Sequence, residues 1–258
     1  AFRPVLEAKE NKTDIIHYFL SVVSTPWHAT GMSSVPVTFT LHDNLPQRTS
    51  ADLYSPGRYA KYPNHNYISI SNSQRKGLPT LNFVDTVYNG VNTSIFGYNQ
   101  NGGEHFTWVG RATPEKGAHI AVSAAHNTGE PLKLASSPAP HKHAGYWHNE
   151  VEAYYKKGQI EHVGLLDRPG VAEFIGSSKG LLFPIEWEEP FGMVMIEAMA
   201  AGTPVIAFDR GSVREVIKDG VTGFVVKNQE DMEAAMARIG EIDRAACRKH
   251  VEENFSLD

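Results

Sequence analysis

The segment Gly180-Leu181-Leu182-Phe183-Pro184 constrains the fold more than any other part of the chain. It is short, apolar, bounded by Gly and Pro, and shows no alternation of polar and apolar residues. A strand that faces solvent on one side alternates; one that reads apolar throughout is covered on both faces, as in a parallel sheet flanked by helices. Similar runs recur along the chain, at Ile15–Phe19, Val35–Leu41, Tyr67–Ser71 and Thr86–Tyr88, then at His105–Gly110, Leu132–Ser136, Ile160–Leu165, Gly180–Ile185, Pro204–Phe208 and Gly223–Val226. Between the later ones lie helical patterns at Gly117–His126, Asn149–Lys157, Gly170–Ser177, Gly192–Ala200 and Val213–Lys218, and Gln229–Arg238 and Arg244–Glu253 close the chain. This βαβ rhythm predicts doubly wound α/β sheets, whose ligands sit at the carboxyl ends of the strands.

The turn-rich stretch Gly97–Gly103 is the best linker candidate. It divides the chain into residues 1–97, an incomplete first domain, and residues 104–258, a nearly complete second one. The 258 residues accommodate two modest domains. The opening Ala1–Lys12 reads as the tail of a helix, so the chain is expected to enter its first domain partway. With a net charge of −5, nothing suggests a general nucleic-acid or membrane-surface binder, and any phosphate site must be a local basic cluster. The single Cys247 excludes an internal disulfide framework and fits a reducing, cytoplasmic setting. No apolar run approaches the ~18 residues of a membrane-spanning helix. No glycine-rich dinucleotide fingerprint and no P-loop is present.

Two constellations carry chemistry. In Val109-Gly110-Arg111-Ala112-Thr113-Pro114-Glu115-Lys116-Gly117, Arg111 and Lys116 project from a strand-to-helix loop. An isolated Arg and Lys are ordinarily solvated, but at a strand's carboxyl end they make a plausible diphosphate clamp: a planar fork plus a mobile point charge. In Glu186-Trp187-Glu188-Glu189-Pro190-Phe191-Gly192-Met193 through Glu197, two carboxylates, Glu189 and Glu197, flank a helix N-terminus, which attracts anions through its free amides and macrodipole. Glu189 is otherwise a helix-capping acid. Glu197 lies among Met195, Ile196, Ala198 and Met199, where a carboxylate needs a partner, and vicinal ribose hydroxyls supply one. Acids on both sides of an anion site point to a sugar nucleotide. His141-Lys142-His143 with His148 fits no standard zinc spacing and reads as a solvated loop.

These residues, with Gly202-Thr203-Pro204-Val205-Ile206-Ala207 and Gly220-Val221-Thr222-Gly223-Phe224, resemble the retaining family-four glycosyltransferases of GT-B architecture. The resemblance runs from about Asp14 to the C-terminus. The second domain carries its specific motifs; Ser69–Ser73 and Val87–Val91 support it more weakly. It implies two Rossmann-like parallel-sheet domains and a metal-independent transfer of sugar, with retention, from a UDP- or GDP-linked donor. The acceptor, whether sugar, lipid or small molecule, is left open, and no cofactor, metal or nucleic acid is implied. Arg111 and Lys116 would hold the diphosphate, Glu197 the ribose, and Leu165, after Gly164, the base. Glu189, with the backbone of Phe191, Gly192 and Met193, would engage the donor sugar and phosphate. His42, in Thr40-Leu41-His42-Asp43, would approach the sugar from the first domain.

The family's N-terminal Gly-Gly loop and its last helix have no counterpart here, and Leu134–Pro138 lacks the usual glycine. The chain is therefore expected to be truncated at both ends. A non-catalytic nucleotide-sugar-binding fragment stands as the alternative, and a sugar-nucleotide epimerase as a third, less matching one.

Overall fold

The computed structural model describes residues 12–20, 32–42, 62–157 and 159–257. The helix expected over Ala1–Lys12 falls, Lys12 apart, outside the described residues, as does Asp43. Contacts divide the chain into two compact units. One holds the residues up to Tyr88 together with Glu188–Phe191; the other holds Asn89–Trp187 and the residues from Gly192 onward.

The first unit is built on a parallel sheet of β1 (Ile16–Leu20), β2 (Val37–Leu41), β3 (Asn66–Ser69) and β4 (Phe83–Thr86), in that order. Ile16, Val37, Phe39, Leu41, Tyr67 and Leu81 form its core. The Phe39 and Tyr67 rings lie 5.9 Å apart. Gln74, in the short helix Asn72–Arg75, braces the carboxyl ends of the strands: its Nε2 donates to Leu41 O at 2.9 Å, and its Oε1 accepts from Ile70 N at 2.9 Å. The fourth strand is displaced from its expected position, Thr86–Tyr88, to Phe83–Thr86. This strand lies at the sheet's edge, where a charged residue such as Asp85 is tolerated although it disguises the pattern.

The second unit has six parallel strands: β5 (Phe106–Val109), β6 (Leu132–Ala135), β7 (Ile160–Gly164), β8 (Gly180–Phe183), β9 (Val205–Phe208) and β10 (Gly223–Val226). Their spatial order is β10-β9-β8-β5-β6-β7. Every residue of β8 and β9 is buried, as the lack of alternation requires. The helices Ala118–Thr128, Arg168–Gly176 and Met193–Ala200 lie between strands, and Gln229–Ala237 and Arg244–Asn254 follow β10. The chain steps outward from β5 through β6 to β7, then returns to pair β8 on the other side of β5. A topological switch point therefore lies between β5 and β8.

Two expectations are corrected in this unit. Gly97–Gly103 is not a free linker, and the division falls earlier, between Tyr88 and Asn89. Asn99 organises a turn, its Oδ1 accepting from Asn101 N at 3.0 Å and from Gly102 N at 3.2 Å, while Arg244 Nε donates to Asn99 O at 2.7 Å. The turn-forming composition thus encodes a packed turn. The helix expected at Asn149–Lys157 lies instead at Ala144–Glu150, followed by a 3-10 segment, Glu152–Lys157. Its anchor is buried Trp147, whose ring centroid is 6.1 Å from that of Trp108. Among the described residues no helix is long and apolar enough to cross a membrane.

Candidate functional site

The loops that follow β5 and β8 meet at the switch point through main-chain contacts. Gly117 closes the 3-10 turn Pro114–Lys116 with φ +69°, a conformation that favours glycine. A Cβ there would come within 1.9 Å of Pro184 O, so no side chain fits without displacing backbone. Glu186 N donates to Glu115 O at 3.0 Å, stitching the loops together. Arg111 extends into solvent, 3.8 Å from Glu115, an exposed pair that contributes little to stability. Lys116 is fixed at its backbone by Trp108, whose Nε1 donates to Lys116 O at 3.0 Å, and its Nζ lies 4.7 Å from the ring centroid of Trp187.

A polar chain supports this junction. Burial pushes the Tyr146 phenol up to about 12, so it stays protonated. Its oxygen lies 3.4 Å from the backbone N–H of His119, which donates to it, and 2.9 Å from His119 Nδ1. The other ring nitrogen of His119, Nε2, faces Glu186 Oε2 at 3.5 Å.

Beyond β8 the chain reaches Gly192, which takes φ +79° and, as N-cap of Met193–Ala200, has no side chain to cap the first amides. Met195, Ile196, Ala198 and Met199 are buried around Glu197. Burial pushes the Glu197 carboxyl above its ordinary range, and the Arg168 guanidinium partly opposes that rise. Leu165 follows Gly164, which has φ +84°, at the carboxyl end of β7 and is exposed.

Arg111, Lys116, Leu165, Gly192, Met193 and Glu197 thus all stand at the carboxyl ends of the second unit's strands. Glu189 and Phe191 are buried in the stretch that groups with the first unit, where the Phe191 ring lies 6.0 Å from Tyr88. His42 directly follows β2 in the first unit, its ring stacked at 5.8 Å on Phe19. Trp187, His119, Tyr146 and Arg168 escaped the sequence reading. Each meets a partner far along the chain, and Trp187, although it stands in the stretch that holds Glu189 and Glu197, was given no role there.

Residues 95–246, more than half of the chain, match the family model for glycosyl transferases group 1. The chain belongs to that family. Among relatives of this glycosyltransferase family member, an uncharacterized glycosyltransferase of Methanocaldococcus jannaschii is 29% identical over 230 residues, covering 86% of this chain and 62% of that protein. Alpha-maltose-1-phosphate synthase of Mycolicibacterium smegmatis is 33% identical over 140 residues, 52% of this chain and 36% of that one. The chain therefore spans less than two thirds of the length of these relatives. Among solved structures, sucrose-phosphate synthase from Thermosynechococcus elongatus superimposes with a TM-score of 0.80 at 21% identity, over 98% of this chain and 72% of that one. Anabaena HepE, in complex with UDP-glucose, does so with 0.81 at 15% identity, over 97% and 77%. These likenesses show the fold: two parallel-sheet α/β domains of the GT-B kind.

Proposed function

We propose that this family member transfers a sugar, with retention, from a nucleotide-diphosphate donor, UDP- or GDP-linked, to a sugar, lipid or small-molecule acceptor. The observation that carries this reading is the meeting of two loops at the switch point. One brings Arg111 and Lys116; the other leads into a glycine-capped helix N-terminus and Glu197. The UDP-glucose complex of HepE supports a nucleotide-sugar donor of the same class.

Departure of the donor diphosphate leaves an oxocarbenium-like sugar and a nucleoside diphosphate that has gained one negative charge. Meeting that charge is the main electrostatic task. Arg111, Lys116 and the first amides of Met193–Ala200 supply positive potential there, so the reading requires no metal. Glu197 accepts hydrogen bonds from the ribose hydroxyls, and the backbone at Leu165 meets the base. Glu189, with the backbone of Phe191, and His42 act on the donor sugar. The acceptor attacks from the face the diphosphate leaves, with the departing phosphate taking its proton. A single buried thiol fits the reducing cytoplasm as the place of action.

Calorimetry with UDP, GDP and ADP tests the binding half, and donor hydrolysis or transfer, with and without EDTA, tests the chemistry. Tight binding of one diphosphate and EDTA-insensitive turnover are expected. Binding of a nucleotide with no turnover of any sugar donor would reduce the chain to a nucleotide-sugar-binding module.

A further inference from the structure

The family motifs give the cation Lys116 a ligand but not a seat. A lysine stem has many rotamers, and holding it in one of them is costly. Here the ammonium lies 4.7 Å from the ring centroid of Trp187, within the range where an indole face attracts a cation. Trp187 is half-buried, and its loop is pinned just before it: Glu186 N donates to Glu115 O, and the Glu186 carboxylate faces His119, which Tyr146 orients. Trp108 meanwhile holds the Lys116 carbonyl. Two indoles thus fix the lysine, one at its backbone and one at its head. A ring meets only one side of an ammonium, which has three N–H donors.

We propose that Trp187 is a positioning residue for Lys116, holding the ammonium ready for the donor diphosphate before the donor arrives. The proposal rests on the donor reading above and adds a residue to it. An ammonium already in place loses less freedom on binding, so the indole strengthens diphosphate affinity.

The first test needs no nucleotide. In the full chain with reductively 13C-methylated lysines, the Lys116 resonance, assigned with Lys116→Arg, is expected upfield of the other lysines. Trp187→Ala should remove that shift and Trp187→Phe retain part of it. A Lys116 resonance unmoved by Trp187→Ala overturns the proposal. The second test is calorimetry with UDP and with pyrophosphate. Trp187→Ala is expected to weaken both by roughly 3- to 10-fold, with Trp187→Phe restoring most of the loss and melting temperatures near that of the parent. The double variant Lys116→Ala/Trp187→Ala should bind no worse than Lys116→Ala alone. Fully additive losses would show that the ring acts elsewhere and overturn the proposal. A parent protein that shows the shift yet binds no nucleoside diphosphate sinks the donor reading, and the diphosphate role of Trp187 with it.

Discussion

Glu197 is a carboxylate placed where burial disfavours its charge. Its folded pKa is raised above the ordinary 4.5, so the folded state holds the proton more tightly than the unfolded chain does. The favourable difference is fully present below that value and is lost as pH rises through the folded pKa. At neutral pH the ionised side chain therefore costs stability. Glu197→Gln should melt at a higher temperature than the parent at pH 7, with the gap closing below about pH 4; a gap independent of pH would refute the burial argument. The same variant, and more so Glu197→Ala, should bind UDP at least about 10-fold more weakly while leaving pyrophosphate binding unchanged, because only the nucleotide brings a ribose. Arg111→Ala and Lys116→Ala should weaken both ligands by at least about 1.5 kcal/mol, the scale of a charge-assisted contact. Unaltered calorimetric affinities in both would dismiss the clamp. Glu197 was legible in the sequence because an acid stands out in Met-Ile-Glu-Ala-Met. Trp187 and His119 were not, because an aromatic in a loop or a histidine in the first turn of a helix gains meaning only from the neighbour that folding brings to it.

At the scale of elements, the junction of the β5 and β8 loops depends on Gly117. Gly117→Ala places a methyl 1.9 Å from Pro184 O in a left-handed conformation. It should cost more than about 2 kcal/mol in urea unfolding and weaken UDP binding, since Lys116 and Trp187 sit on opposite sides of that contact. Loss of stability with nucleotide affinity intact would separate the junction from the site. The strands of the second unit were readable to within a residue or two, because a buried parallel strand is uniformly apolar. Charged Asp85 obscured β4, and glycine and histidine in Ala144–Glu150 disguised a helix whose real determinant is the fit of Trp147 against Trp108. Turn chemistry at Gly97–Gly103 was visible, but not that its Asn99 carbonyl would be claimed by Arg244, far along the chain.

For the second unit as a body, two arginines, Arg244 and Arg248, tie distant carbonyls together. Arg248 Nη1 donates to Thr93 O, Phe96 O and Ala200 O at 3.1, 2.7 and 2.7 Å. Arg244 donates to Asn99 O, Ser178 O, Gly176 O and Thr203 Oγ1. Carbonyls gathered on one partly buried guanidinium lose their donors together, so Arg248→Met should cost about 2–4 kcal/mol in chemical denaturation and expose residues 89–99 to hydrogen exchange. A cost below about 0.5 kcal/mol would mean that water replaces the guanidinium. In the middle of this unit's sheet, β5 and β8 share only two paired positions, Phe106 with Gly180 and Thr107 with Leu181, whereas β5 and β6 share four. The main chain itself parts there, and Glu115 O–Glu186 N and the Gly117–Pro184 contact rejoin it further on. Apart from Gly117, where no Cβ fits, a frame made of peptide groups is nearly blind to side-chain identity. Sequences can therefore drift widely around this seam, and change what they carry at its rim, while the seam keeps its shape.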